Sequence, residues 1–312
     1  MLFLVLPCGL WMGDRACPIE MEKILNKKSG PVFAILSAIL FGTMPLFTKI
    51  AYAGGCNSYT VAFGRFLTGA LAAGIVIAAV PGLSLRISGS EFKKIVLLSL
   101  FYAVTPVLLY ESYQTISTGL ATTLHFTYPV AVMVLTAVLF REKLSRRKLL
   151  CLCICAAGIA GFYRPGAQEG SLGMFLAVLS GFTYAIYILL LGKSGIKRLH
   201  VMTITFWISA LASAEIGIFA AFSHKLSLPA AWEPWAAMGG LGVFATVMAL
   251  AFFQLGVFYC GEVKASLLST FEPLTSVLIG IVVFHEAMTL RILAGMILIL
   301  LSTLLLVTEK QA

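Results

Sequence analysis

The chain has 312 residues, of which 60% are hydrophobic and only 11% are charged, and its mean hydropathy is +0.99. Because a soluble globular chain carries about 25% charged residues, this composition excludes a water-soluble globular protein. The net charge of +9 does not indicate a nucleic-acid partner, since the basic residues lie in short segments between apolar runs, where membrane topology places them.

Residues 1–30 form an N-terminal segment that we predict to be cytoplasmic. The segment begins with MLFLVLPCGLWM, which is apolar but too short to cross a bilayer and lacks the basic region of a signal peptide. Met21 begins MEKILNKKSG, which is typical of a basic cytoplasmic N-terminus. We hypothesise that translation starts at Met21.

The rest of the chain consists of apolar runs, each long enough to cross a hydrocarbon core of about 30 Å. We therefore predict an all-α polytopic membrane protein with ten transmembrane helices in two halves, 31–164 and 172–307. A tail of residues 308–312 follows. The predicted spans are 31–52, 58–80, 92–114, 119–140, 147–164, 172–192, 200–222, 234–258, 263–284 and 289–307.

The orientation follows from the lysine and arginine residues, which are more frequent on the cytoplasmic side of membrane proteins. With the N-terminus inside, sixteen of these residues fall in cytoplasmic segments and three in outer segments. The bias predicts a multi-pass protein of the cell membrane with both termini in the cytoplasm.

Residues 119–148 recur without a gap 144 positions later, so that Pro129 falls on Pro273 and Glu142 on Glu286. A repeat of this kind indicates two related halves. Because each half has five predicted spans, an odd number, the two copies must insert upside down relative to each other. Inverted repeats are typical of secondary transporters, whose substrate site lies near the midplane between the repeats.

Ionisable side chains inside membrane spans cost several kcal/mol and are therefore candidates for function. Arg65 contacts either a substrate carboxylate or, in a structural ion pair, Glu111; the sequence does not decide between these alternatives. We expect Lys49 to extend its side chain to the membrane surface. Glu215 either carries a proton or has no role. The candidates for substrate or coupling contacts are Arg65, Glu111, His125, Tyr128, Glu215 and Glu272.

The two aligned prolines predict hinges. A proline inside a helix cannot donate a backbone hydrogen bond, so Pro129 and Pro273 leave the carbonyls of His125 and Ser269 without their helical donors. Interruptions at matching places in two halves indicate a transport site. Aromatic residues that we expect near this site are Tyr110, Tyr113, Tyr128, Tyr184, Tyr187 and Trp207.

Glu142 and Glu286 end their spans, and we interpret both as interfacial caps or partners in loop ion pairs. The sequence contains no Walker motif, no metal-ligand cluster and no nucleophile elbow. We therefore predict no cofactor, no metal and no enzymatic activity.

Several motifs taken together resemble the EamA family of the drug/metabolite transporter superfamily. They are Lys49 at the end of span 1, Arg65-Phe66 in span 2, Tyr128-Pro129 with Phe140-Arg141-Glu142-Lys143, and Glu272-Pro273 with Phe284-His285-Glu286. Phe41-Gly42 departs from the pattern, because many relatives have Trp before this glycine. The resemblance implies a secondary transporter of small organic solutes, often an exporter of amino acids or other metabolites.

The expected function is export of a small metabolite, amino acid-like or drug-like, by alternating access of the two halves within the lipid bilayer. A proton, an ion or the substrate's own gradient would drive it. The alternatives are an uptake carrier, a channel and a membrane-embedded enzyme. Whether the protein forms a homodimer stays open at this stage.

Overall fold

The computed structural model describes residues 29–141, 145–162, 170–269, 271–286 and 289–307. The proposed start at Met21, Glu142 and the C-terminal tail lie outside these residues. The described part of the chain is helical and contains no strand. Eight helices in it are long and apolar enough to span a membrane, which is what a multi-pass membrane protein requires.

The described part of the first half contains seven helices. They are α1 (Gly30–Phe41), α2 (Met44–Ala53), α3 (Ser58–Ala79), α4 (Gly89–Ser112), α5 (Thr118–His125), α6 (Tyr128–Phe140) and α7 (Arg146–Phe162). Two of the predicted spans are each divided into two helices: α1 and α2 form span 1, and α5 and α6 form span 4.

In the second half, spans 8 and 9 are the divided ones. This half contains α8 (Ser171–Lys193), α9 (Val201–Phe222), α10 (Trp232–Gly240), a π-helix (Leu241–Met248), α11 (Ala249–Cys260), α12 (Glu262–Leu268), α13 (Phe271–Phe284) and α14 (Leu290–Val307). Span 8 is α10, the π-helix and α11, and span 9 is α12 and α13.

The predicted spans 5 and 10 correspond to α7 and α14. Their apolar stretches, Leu149–Ile159 and Ile292–Ser302, are shorter than the eighteen residues that the other eight spans reach. The two helices pack against each other, and Ser302 on α14 donates a hydrogen bond of 2.7 Å to the carbonyl of Cys151 on α7. They form a pair at the side of the molecule.

The remaining helices pack in pairs that join the two halves. The pairs are α1 with α11, α2 with α10, α3 with α9, α4 with α8, α5 with α13, and α6 with α12. Glycines permit the close contacts: an added Cβ on Gly69 of α3 would lie 2.6 Å from the Thr246 side chain, and one on Gly242 would lie 2.1 Å from the Thr68 hydroxyl. Small residues at helix crossings are typical of membrane proteins.

Local sequence explains where the divided spans break. Pro45 is at the beginning of α2 and Pro129 at the beginning of α6, positions where a missing N–H is tolerated. Span 4 breaks at Phe126 and Thr127, at the place that Pro129 predicts. The break in span 1, at Gly42 and Thr43, was not expected.

Candidate functional site

A small cavity of about 20 Å³, enough for one water molecule, lies where the broken spans meet. Residues from both halves line it, so it lies between the two copies of the repeat. The polar or sulfur-bearing residues around it are Met44, Arg65, Tyr102, Thr105, His125, Tyr184 and Glu272.

Arg65 projects from α3 into the wall of this cavity and is 2% exposed. Its Nη1 donates to the Tyr110 hydroxyl at 3.0 Å and lies 3.1 Å from the Met44 sulfur. Its Nη2 donates to the Tyr102 hydroxyl at 3.0 Å and to the carbonyl of Ala245 at 3.1 Å. The contacts use all four N–H groups of the two terminal nitrogens.

The fifth donor, Nε, bonds to the Thr246 hydroxyl at 3.0 Å. Ala245 and Thr246 both lie in the π-helix, a helical form that often occurs at functional sites. Every N–H of Arg65 is therefore bound to a neutral partner. Because burying a charge is costly unless its hydrogen bonds are satisfied, this arrangement explains how the guanidinium stays in the interior.

The expected pairing of Arg65 with Glu111 is wrong. The carboxylate of Glu111 accepts hydrogen bonds from the hydroxyl of Ser58 and, at 3.2 Å, from the amide of Gln114. Glu111 lies one residue after Tyr110, so the backbone that brings the Tyr110 hydroxyl to Arg65 directs the next side chain elsewhere. Arg65 forms no ion pair among the described residues.

Glu272 lies in the first turn of α13 and is 2% exposed. The hydroxyl of Tyr128 donates to its Oε2 at 3.3 Å. Tyr128 and Glu272 are aligned positions of the repeat, each immediately before a hinge proline, and the structure brings them into contact. Glu272 faces the same cavity as Arg65, but the two form no ion pair in the described part of the chain.

His125 ends α5 and also lines the cavity. Its Nδ1 lies 2.8 Å from the Ser180 hydroxyl, and that hydroxyl donates its one proton to the carbonyl of Ala177 at 2.6 Å. The Ser180 oxygen must therefore accept from Nδ1–H. In the neutral imidazole this leaves Nε2 as a hydrogen-bond acceptor.

Tyr184 is the centre of an aromatic cluster. Its ring centroid lies 4.9 Å from that of Tyr128, 5.5 Å from that of His125 and 6.3 Å from that of Tyr102. The Tyr184 hydroxyl is buried and has no hydrogen-bond partner among the described residues. A buried hydroxyl without a partner costs free energy, so its position beside a cavity indicates a group that a ligand can satisfy.

The backbone beside the break in span 4 is closely packed. An added Cβ on Gly181 of α8 would lie 2.5 Å from the carbonyl oxygen of His125, the carbonyl that Pro129 deprives of its helical donor. At the break in span 1, an added Cβ on Gly42 would lie 2.7 Å from the carbonyl oxygen of Glu272. Both breaks therefore depend on glycines, through which backbone segments of different spans come into contact.

Besides Glu111, three residues singled out in the sequence lie away from the cavity. Glu215 on α9 accepts a hydrogen bond of 2.7 Å from Ser99 and is not among the cavity residues. Lys49 does not extend freely to the surface as expected, because it forms an ion pair of 3.1 Å with Glu286. Trp207 donates to the carbonyl of Leu85 at 3.0 Å, outside the cavity.

Sequence reasoning missed Tyr102, Thr246 and Ser180. Tyr102 and Thr246 are single polar residues in long apolar helices, and nothing in their spacing marks them. Ser180 immediately precedes Gly181 and is a small residue of the kind that usually packs between membrane helices. Only the packing of the helices against one another shows that these residues contact Arg65 and His125.

Comparison with known proteins supports this architecture. The model of the EamA-like transporter family matches twice, at residues 28–164 and 171–308. The chain belongs to the EamA-like transporter family. The two matches together cover most of the chain.

Relatives of the chain include transporters from distant organisms. An uncharacterized transporter of Archaeoglobus fulgidus is 30% identical over 277 residues, which cover 88% of this chain and 95% of that protein. Solute carrier family 35 member G1 of Mus musculus is 24% identical over 221 residues, 65% of this chain and 58% of that protein. A solved crystal structure with 17% identity has a TM-score of 0.67 and covers 90% of this chain and 97% of its own. This family member is therefore a multi-pass membrane protein of a transporter family, and it shares its fold with that structure.

Proposed function

We propose that this protein is a secondary transporter that exports a small organic metabolite across the cytoplasmic membrane by alternating access. The observation that carries the proposal is the cavity between the two halves. A cationic side chain, Arg65, and a carboxyl side chain, Glu272, line the same small volume. In the proposed architecture α7 and α14 are spans 5 and 10, both termini are cytoplasmic, and the two five-helix repeats are inverted.

The helix pairs support the inverted arrangement. Exchange of the two halves converts the pair of α1 with α11 into the pair of α8 with α4, and both pairs are present. The pairs α3 with α9 and α7 with α14 are each converted into themselves. Paired contacts of this kind are what two copies related by an axis in the membrane plane would make.

The cavity favours a ligand that carries both hydrogen-bond acceptors and a cationic or donor group, as an amino acid does. Because Tyr102 accepts from Arg65, its own hydroxyl proton is directed away from the guanidinium and, with that of Tyr184, is available to a ligand acceptor. Glu272 and Nε2 of His125 provide acceptors on the other wall. Aromatic rings around them suit an apolar substituent.

Alternating access follows from the broken spans. Met44 begins α2 and His125 ends α5, so two of the breaks lie beside cavity residues. Rotation of one half against the other would move these short helices while the long ones stay intact.

Export rather than uptake rests on the family resemblance. Glu272 is the group in the cavity that we propose for coupling to a proton or an ion.

The substrate should be found by a metabolite screen of spent medium from deletion and overexpression strains, followed by counterflow in proteoliposomes. A carrier shows saturable counterflow, which a channel does not.

In proteoliposomes Glu272→Gln should abolish net flux and leave the protein folded and inserted. The matched control is Glu233→Gln, an exposed carboxylate in the first turn of α10, which should transport normally. Normal flux in Glu272→Gln would remove this residue from the mechanism.

A further inference from the structure

Apart from the cavity, one carboxylate joins three spans at a single end of the molecule. Glu286 follows the last residue of α13 by two positions, Lys49 is in the last turns of α2, and Thr118 begins α5. On the charge-based orientation all three residues lie at the outer face. The contacts among these three residues involve none of the basic residues that were counted to set the orientation.

The chain folds back on itself to place Glu286. His285 adopts a left-handed backbone conformation with φ 52°, and the Glu286 N–H donates to the carbonyl of Gly280 at 2.9 Å. The side chain then lies against the helix it has just left, since an added Cβ on Gly280 would be 2.6 Å from Oε2 of Glu286. Gly280 thus provides the space for the carboxylate.

The carboxylate serves as the cap of a helix in another part of the chain. It accepts from the Thr118 N–H at 3.0 Å, from the Thr118 hydroxyl at 2.9 Å and from the Gly119 N–H at 3.4 Å. The first N–H groups of a helix have no partner within the helix and favour negative charge. Glu286 therefore stabilises the beginning of α5 from outside it.

Lys49 completes the arrangement. Its Nζ lies 3.1 Å from Oε1 of Glu286 and 4.9 Å from the ring centroid of Phe284, over its face. The Lys49 side chain is 32% exposed. Because a partly solvated ion pair contributes little net stability, this contact can break and form again during a conformational cycle.

The helices held in this way are the short ones that reach the cavity. From Thr118 to His125, α5 has eight residues and a length of about 12 Å. On α2, Met44 at one end lines the cavity and Lys49 lies farther along the helix. Motion of either helix about its break would therefore both disrupt the contacts of Glu286 and uncover the cavity.

We propose that Glu286, Lys49 and the amino end of α5 form a latch that holds the cavity closed toward the outer face and releases when the cavity opens there. The latch rests on the proposed alternating access, but its test requires no substrate. It assigns a role to Lys49 and Glu286, neither of which contacts the cavity.

The test measures access to the cavity from outside the cell. In a background with all seven cysteines replaced, Thr105→Cys places one thiol in the cavity wall. Intact cells are treated with a membrane-impermeant maleimide. Lys49→Met and Glu286→Gln should each increase the labelling rate of this thiol about tenfold. Lys49→Arg keeps the positive charge and should label at the parent rate.

Two matched controls remove a lysine elsewhere. Lys225→Met removes an exposed cation that contacts Tyr59 rather than Glu286, and Lys193→Met removes the partner of Glu262, which begins α12. Neither should increase labelling from outside. Unchanged labelling in Lys49→Met, with the protein inserted and monodisperse, would overturn the latch. A failure of the transport proposal would instead appear as no flux in the unmodified protein, and it would leave the labelling rates unaffected.

Discussion

The guanidinium of Arg65 is a fixed charge in the cavity wall. A substrate carboxylate could bind it directly only by displacing a tyrosine hydroxyl, Thr246, a carbonyl or the Met44 sulfur, since these groups occupy all five N–H donors. The charge can act through the hydroxyls instead, because a phenol that accepts from a cation becomes a better donor. Arg65 therefore both holds the cavity wall in place and provides a positive charge there.

Replacement of Arg65 should consequently reduce stability as well as transport. Arg65→Met leaves the buried carbonyl of Ala245 and the Thr246 hydroxyl without their donor, and removal of one partner from a buried polar network costs about 3 kcal/mol. We expect a lower melting temperature in detergent. Arg86→Met, a change at an exposed arginine, should remain within about 0.5 kcal/mol of the parent. Equal stability of both variants would contradict the structural role.

Tyr184 and Tyr187 provide a matched test of ligand contact. Both hydroxyls are buried without partners in the described part of the chain, but Tyr184 lines the cavity and Tyr187 does not. Neither Tyr→Phe change should lower thermal stability, because no hydrogen bond is lost. Tyr184→Phe should increase the KM for the transported solute about tenfold, the effect of one hydrogen bond of about 1.4 kcal/mol. Tyr187→Phe should leave KM unchanged. If both changes raised KM equally, the solute would not bind in the cavity.

At the level of helices, the breaks in the spans are maintained by close backbone contacts. Gly181→Ala would place a methyl group against the carbonyl oxygen of His125, at a contact of 2.5 Å that requires the break to shift. We expect a lower melting temperature and reduced transport. Gly239→Ala is the control on α10, since an added Cβ there meets no atom within 4 Å. That change should be neutral or stabilise by up to about 1 kcal/mol, because alanine is the better helix former.

The sequence predicted helix breaks only where proline produces them. Pro129 predicted the division of span 4, because proline removes a backbone donor whatever its surroundings. The break at Gly42 and the π-helix Leu241–Met248 were not predicted. The break at Gly42 has a local signal in Pro45 at the beginning of α2, which the prediction did not use, and Gly42 also lies against Glu272. The π-helix depends on contacts with another span, since it binds Arg65. Such contacts have no local signal in the chain.

The same distinction applies to the site. Arg65, His125, Tyr128 and Glu272 were predicted from the cost of polar groups in a membrane and from the prolines beside them. Glu111 and Glu215 satisfy the same criterion but are bound to Ser58 and Ser99 outside the cavity. Depth along a helix can be read from sequence, whereas the direction of a side chain depends on helix rotation, which packing sets.

For the molecule as a whole, Glu286 predicts a pH dependence of stability. Burial acts to raise the pKa of its carboxyl, but hydrogen bonds from Thr118, Lys49 and Gly119 outweigh burial and hold the pKa below the ordinary value of 4.5. A group with a lowered folded pKa stabilises the protein above its unfolded pKa, and this contribution is lost as the pH falls through the folded value.

The difference in melting temperature between the parent and Glu286→Gln should therefore be constant from about pH 6 to pH 8. It should decrease as the pH falls below about 4.5. Glu111→Gln, a carboxylate outside the latch, controls for general acid effects. A difference that persists unchanged in acid would show that the ionised form of Glu286 is not what stabilises the protein.

The proposed orientation can be tested over the whole chain by reporter fusions. Fluorescent protein fused after the last residue should fluoresce, because the C-terminus is predicted to be cytoplasmic. Alkaline phosphatase inserted in the segment between α9 and α10 should be active, because that segment is predicted to lie outside. The reverse pattern would overturn the orientation, although the contacts within the molecule would be unchanged.

The lysine–glutamate pairs at the two ends of the molecule bear on the direction of transport. Lys49 with Glu286 and Lys193 with Glu262 have similar distances, 3.1 and 3.0 Å, and similarly buried carboxylates, 14% and 15% exposed. Both pairs are formed in this one structure, so if each closes one side, the cavity is closed toward both faces at once. By microscopic reversibility the same machinery would then carry its solute either way, and the cell's chemical potentials would set the sign of the net flux.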